Sequence, residues 1–232
     1  MIFEVCIDSY EGALLAKEHE VKRVELCSAL SVGGLTPSIA LAKKCSEIEG
    51  LEVHAMVRSL EGNFVYSDAV IELLKQDIES LAAVGISGVV FGCLSPNHEI
   101  DIPSNKALLD FSKNMNLEVT FHRAFDYVPN PITSLEQIIQ LGFDRILTSG
   151  TKPRAIEGIE TIIQLVKTAN GRIQIMAGSG VSSDHAIDLA STGIDALHFT
   201  SHQFVSQTDE LGMGKRSIPD PQKIESIIQL FK

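Results

Sequence analysis

Residues 23–38, RVELCSALSVGGLTPS, open as a strand, Arg23-Val24-Glu25-Leu26-Cys27, in which apolar and non-apolar side chains alternate. Successive strand residues point to opposite faces, so Val24 and Leu26 share one face while Glu25 and Cys27 share the other. The chain then turns through Gly33-Gly34 and enters a helix with Pro37 near its first position, where the missing N–H costs nothing. Strand, glycine-bearing loop and helix make one βα unit, with an acid and a thiol at the end of the strand. In parallel α/β proteins that is where sites are made.

The same unit recurs along the whole chain. Strand patterns lie at 2–7, 23–27, 52–58, 88–94, 117–123, 145–149, 173–178 and 196–200, with helical patterns near 10–20, 37–49, 67–84, 104–116, 134–142, 153–169, 183–192 and 221–231. Boundary signals agree: Ser67-Asp68 before the third helix, a Thr133…Glu136 capping-box spacing before the fifth, and Gly142 and Gly193 just past helix ends. Eight units of roughly 29 residues are close to the minimum for a strand, a helix and two loops. Strict alternation implies a parallel sheet with right-handed crossovers. An open doubly wound sheet is the alternative, but eight is the closing number. The sequence therefore predicts an α/β fold, a (β/α)8 TIM barrel, as a single domain over 1–232, with 202–220 a loop before the last helix.

Parity then sorts the side chains. Phe3, Val5 and Ile7 must face the helices, which leaves Glu4 and Cys6 inside the barrel. By the same rule Glu25 and Cys27, then His54, Met56 and Arg58, then Thr120 and His122, point inward. Met176 and Gly178 follow from the seventh strand, His198 and Thr200 from the eighth. The fourth strand is apolar at both parities, and in the sixth Ile146 and Leu147 can exchange roles. Barrel centres are normally filled with branched aliphatics. An unpaired charge there is too costly to keep, so these polar groups must pair, neutralise or bind something. One solution is purely structural: an ion pair of Arg58 with Glu4 or Glu25.

A formal charge of −11 over 232 residues argues against nucleic acid or an anionic membrane surface as partner. No basic-then-apolar leader precedes the first strand and no apolar run reaches about 18 residues, so the expected location is cytoplasmic. The four cysteines (Cys6, Cys27, Cys45, Cys93) are then expected to be reduced, and their spacing fits neither a zinc finger nor a CxxC pair.

Five segments carry a resemblance: RVELCSALSVGGLTPS (23–38), VHAMVRS (53–59), TFHRAFDYVPNP (120–131), FDRILTSG (143–150) and IMAGSGV (175–181). In this order they resemble the CutC family, named for copper homeostasis, over the first strand to about Ser201. The resemblance implies a (β/α)8 barrel, a cytoplasmic homo-oligomer (a homodimer favoured) and Cu(I) binding. The thiols it assigns to copper match Cys6 and Cys27. The segment HQFVSQTDELGMGKRSIPD after Ser201 departs from the pattern.

Three chemistries follow. Cu(I) is soft and takes thiolates, with thioether or imidazole as added ligands, and Cys6 and Cys27 lie on adjacent strands facing inward; buried cysteine is also a common small filler. Cys45 and Cys93 have no case as ligands. The second is an enzyme, of isomerase, lyase or hydrolase type, acting on a small anionic or phosphorylated metabolite at the C-terminal mouth. Gly178-Ser179-Gly180 follows the seventh strand, before a helix starting near Ser182–Asp184, where such barrels cradle phosphate. Thr148-Ser149-Gly150 and Ser201 are candidates for the same lining. Opposite stand Glu4, Glu25, Arg58, His122, Arg123 and Asp126. Glu25 would serve as acid or base, His122 as proton shuttle near neutral pH, and Arg58 as anion or oxyanion partner. The third is a binding module without chemistry, which needs only the pocket.

Overall fold

Short polar side chains decide where the helices begin. Ser9, Ser38, Asp101, Asn130 and Asp220 each accept a hydrogen bond from a first-turn N–H, at 3.0–3.3 Å. They start α1 (Tyr10–Glu18), α2 (Ile39–Ser46), α4 (Ile102–Lys113), α5 (Pro131–Leu141) and α8 (Pro221–Ile228). The remaining helices are α3 (Asp68–Ala83), α6 (Ile159–Ala169) and α7 (Ala186–Ser191). In α3 the buried residues Ile71, Leu74, Ile78 and Leu81 recur at helical spacing and form the inward stripe.

The sequence reading needs four corrections here. Pro37 lies outside α2, ahead of the Ser38 cap. Helix α5 starts three residues early, because Asn130 caps it with Pro131 in the first turn and Thr133 supplies the capped N–H. The stretch 153–169 divides into a 3₁₀ turn at Ala155–Gly158 and α6. The stretch 183–192 is helical only from Ala186.

A computed structural model describes residues 1–204 and 217–232. Eight parallel strands alternate with the helices: β1 (Ile2–Ile7), β2 (Arg23–Leu26), β3 (Glu52–Met56), β4 (Gly88–Phe91), β5 (Glu118–Phe121), β6 (Arg145–Thr148), β7 (Gln174–Gly178) and β8 (Ala196–Thr200). Each pairs with the next, and β1 pairs with β8 in the register Glu4↔His198 and Cys6↔Thr200, which closes the (β/α)8 barrel. A closed sheet has no edge strand left to protect. The expected loop over 202–220 begins and ends differently: β9 (His202–Phe204) and β10 (Ser217–Pro219) form an antiparallel pair, and the rest of that expectation lies outside the described residues. No helix among the described residues is long and apolar enough to cross a membrane.

The core has two compartments. Between sheet and helices lies one continuous apolar shell that includes Val5, Leu26, Val53, Phe91, Val119 and Ile146. Inside the barrel are two small clusters, Cys6–Cys27–Met56–Val90 and Leu147–Met176–Ala196. These settle both open parities: Val90 faces in while Val89 and Phe91 face out, and Leu147 faces in while Ile146 faces out.

The barrel floor is ionic, and its cation is not Arg58. Arg23 Nε donates to Glu4 Oε2 at 2.5 Å, with both side chains almost fully buried. Arg145 donates to Thr120, Gln174 and Glu118 at 2.8–3.0 Å. Between these groups His54 is fully buried with neither ring nitrogen hydrogen-bonded, and burial lowers its pKa to about 4, so the ring is neutral. Removing one member of a buried pair leaves an uncompensated charge, which costs more than the pair itself contributes. Arg23→Met is expected to destabilise the fold by about 3 kcal/mol in urea unfolding, the low end of the usual range because His198 still faces Glu4. An unchanged midpoint would show that the pair does not hold the floor.

Candidate functional site

Above that floor the C-terminal mouth opens into a cavity of about 980 Å³. Its lining takes Cys6 from β1, Glu25 from β2, Met56 and Arg58 from the end of β3, His122 from the end of β5, Ser179 and Gly180 from beyond β7, and His198 from β8. Most of the sequence-predicted site residues are thus brought to one chamber.

The deepest part is built around His198. Its Nδ1 lies 2.8 Å from Glu4 Oε1, and its Nε2 lies 3.7 Å from Glu25 Oε2. Burial works against a charge on this ring, but Glu25, Cys6 and Glu4 together raise its pKa well above the usual histidine value. Burial opposes ionisation of Glu4 as well, yet the His198 hydrogen bond and the Arg23 charge hold it well below the usual carboxylate range. Glu25 goes the other way. Burial pushes its carboxyl well up against the pull of His198, with Cys6 and Glu4 adding to the rise. Two neighbouring carboxyls are thus driven in opposite directions, Glu4 toward the ionised form and Glu25 toward the protonated one.

The thiols divide in the same manner. Cys6 Sγ, Cys27 Sγ and a Glu25 carboxylate oxygen all lie within 4.8 Å of one another. Cys27 has no exposed surface, and Gly34, at φ +87° to +90° with its neighbour Gly33, lies directly over it. A Cβ added at Gly34 would stand 3.0 Å from the Cys27 sulfur. Cys6 lines the cavity. The Cys27 thiol donates to Glu25 Oε2 at 3.5 Å; its presence beside Cys6, with His198 assisting, lowers the Cys6 pKa to about 5 against burial, while Cys27 itself is pushed well up. The pair therefore consists of a thiolate facing the chamber and a thiol sealed beneath it.

The ends of β3 and β5 carry Arg58 and His122, each 4 % exposed. Arg58 does not make the ion pair its sequence position invited. Its Nη1 donates to the Val32 and Gly34 carbonyls at 2.8 and 3.1 Å, and its Nη2 to the Gly62 carbonyl at 3.1 Å. Its guanidinium lies 5.1 Å from the centre of the Phe64 ring. His122 Nδ1 accepts from the Ala124 N–H at 3.3 Å, so the ring proton sits on Nε2. Burial first and the Arg58 charge second lower its pKa to about 3. His122 is thus a neutral donor, not the near-neutral proton shuttle the sequence suggested.

Other candidates fall outside the chamber. Gly178 is a packing glycine within β7, since a Cβ there would stand 2.6 Å from Leu147. Ser179 and Gly180 do line the cavity, both with positive φ, but α7 begins only at Ala186, so no helix start backs them. Thr148 and Ser149 are engaged by Asp126, whose carboxylate also accepts from the Thr151 N–H and from Arg123. Gly150 packs against Gly158, where a Cβ would meet the Gly158 carbonyl oxygen at 2.3 Å. Glu4, Asp126, Gly150 and Ser201 do not border the cavity, whereas Arg123 does. The reading missed Arg23, although it has the inward parity of Glu25 and Cys27.

Comparison with known proteins bears on this site. The CutC family model matches residues 1–203. A CutC family protein of Glaesserella parasuis is 42 % identical over 240 residues, covering 99 % of this chain and 98 % of the relative. Another, of Vibrio vulnificus, is 44 % identical over 198 residues, covering 85 % and 79 %. The crystal structure of CutC from Streptococcus agalactiae, a protein named for copper homeostasis, superposes with a TM-score of 0.81 at 33 % identity, covering 86 % of this chain and 98 % of that one.

The thiolate is directly testable, since it and not the thiol reacts with alkylating agents. Because the folded-state pKa lies below the ordinary thiol value, Cys6 is expected to react with iodoacetamide undiminished from pH 8 down to about pH 6, and to lose reactivity only as pH falls through about 5. His198→Gln should move that fall upward. A rate that already declines between pH 9 and pH 8 in the unaltered protein would contradict the assignment.

Proposed function

This chain belongs to the CutC family, and from that premise we propose that it takes part in copper homeostasis by binding Cu(I) in the cytoplasm through the Cys6 and Cys27 sulfurs. The observation that carries this reading is the clustering of Cys6 Sγ, Cys27 Sγ and the Glu25 carboxylate within 4.8 Å. A metal–thiolate bond of the zinc type is about 2.3 Å, so two such bonds in line span about 4.6 Å. Soft sulfur donors select Cu(I) over harder ions, and the Met56 thioether packs in the same cluster. Charge also supports it. Two thiolates on one Cu(I) carry a net negative charge, which the His198 imidazolium offsets inside a low-dielectric chamber. Loading then requires the Cys27 proton to leave. Its acceptor at hand is the Glu25 carboxylate, 3.5 Å from the Cys27 sulfur.

A second reading is favoured by His198 standing between Glu4 and Glu25. A carboxylate that orients an imidazole, next to a thiolate and a protonated carboxyl, is the equipment of an isomerase, lyase or hydrolase. On this reading the mouth accepts a small anionic or phosphorylated metabolite, Glu25 supplies the proton, and Arg58 and His122 face the developing negative charge.

The copper reading is tested by competition titration against a Cu(I) chelator. Cys27→Ser and Cys6→Ser are each expected to weaken Cu(I) binding at least about a hundredfold, roughly 2.7 kcal/mol. Lys106→Gln, on the exposed face of α4, should leave the affinity unchanged. Retained affinity in both cysteine variants would end the proposal.

A further inference from the structure

We propose that the part of the chamber wall at the ends of β3 and β5 is a binding site for a small oxyanion, a carboxylate or a phosphate monoester, with Arg58 and His122 as its donors. The site rests on the anion-binding part of the second reading above and holds whether or not the thiols bind copper.

Arg58 is the central observation. It is almost fully buried, yet no carboxylate lies within ion-pair distance of it among the described residues. Three backbone carbonyls fix its position, but carbonyls carry only partial charge and leave the full unit of positive charge uncompensated. The bonds they make occupy Nη1 and one Nη2 proton. The Nε–H is buried without an acceptor and one Nη2 proton remains. Nε and Nη2 lie on one edge of the planar group, the fork that grips a carboxylate or phosphate in bidentate fashion.

His122 adds a second donor. With Nδ1 accepting from Ala124, the Nε2–H is buried and unpartnered. Being neutral, the ring offers this proton without adding a second charge, and a buried donor left unmet costs about 1–3 kcal/mol. Phe64 packs against both groups, its ring 4.8 Å from the His122 ring, and gives the site an apolar side that strengthens the electrostatics. Across the mouth, the Ser179 and Gly180 backbone amides donate to no acceptor among the described residues, so a longer ligand finds further donors there. The remaining acids on the wall do not fill the role. Glu25 Oε2 accepts from Cys27 Sγ at 3.5 Å and lies 3.7 Å from His198 Nε2, Asp8 faces His202 at 3.5 Å, and Glu61 makes no ion pair with Arg58 among the described residues.

The ¹⁵N–¹H resonances of Arg58 Nε and His122 Nε2 read the site directly. The full chain is titrated with inorganic phosphate and, separately, with malonate. A saturable shift of both resonances is expected with at least one probe. Saturation by phosphate alone assigns the phosphate class and by malonate alone the carboxylate class; either supports the proposal. Arg58→Gln should weaken the response at His122 Nε2 at least about tenfold. Because Arg58 also ties three loop carbonyls, His122→Asn serves as the second variant, read at Arg58 Nε, and should weaken binding severalfold. Linear, non-saturating shifts with both probes, or unchanged affinity in either folded variant, would overturn the proposal. Cu(I) titration of the unaltered chain, read at its thiols, separates this failure from a failure of the thiol site.

Discussion

The molecule is governed by the need to keep charge inside a closed barrel. Arg23, Glu4 and His198 form a continuous chain across β2, β1 and β8, with contacts of 2.5 and 2.8 Å and almost no exposure. Desolvating any one of these ions alone would cost several kcal/mol. Placed in series with alternating sign, each satisfies the next. The chain ends at the chamber, where His198 Nε2 lies 3.7 Å from Glu25 and helps to lower the Cys6 pKa. The reactive groups at the mouth are therefore set by an ion pair well below them, and the site inherits its protonation pattern from the floor.

Loops above the strands are held by two different devices. On one side Arg58 gathers the carbonyls of Val32, Gly34 and Gly62, drawing the loops after β2 and β3 over Cys27. On the other, Asp126 gathers donors from Thr148, Ser149, Thr151 and Arg123, binding the loops after β5 and β6 into one body. One cation and one anion thus do equivalent work with opposite sets of backbone groups. The difference is functional. Asp126 is saturated by its partners, whereas Arg58 retains donors.

Much of this was legible beforehand because a strand alternates with period two. Parity alone sent Glu4, Cys6, Glu25, Cys27, His54, His122 and His198 to the interior, and the structure places them there. Parity fails where both faces are apolar, as at Val89-Val90, or where a long side chain reaches beyond its own position. Arg58 illustrates the second case: it points inward but spends its donors on loops more than twenty residues away. Helix starts were less legible, since Asn130 and Thr133 are both competent caps and only the chain path selects between them. Protonation was not legible at all. His122 and His198 look alike in the sequence, and burial beside Arg58 or beside Glu4 sends them in opposite directions.

Strand β4 gives the barrel wall a thin panel. Gly88 and Gly92 flank Val90 on its inner face, and a methyl at either would come within 2.8 Å of an imidazole atom, His54 in one case and His122 in the other. Both neutral rings thus occupy volume that a larger residue on the adjacent strand would claim. In evolutionary terms the panel is a tuning screw. A single methylene step at Gly92 would tilt His122 and reshape the chamber without altering the charge of any group in it.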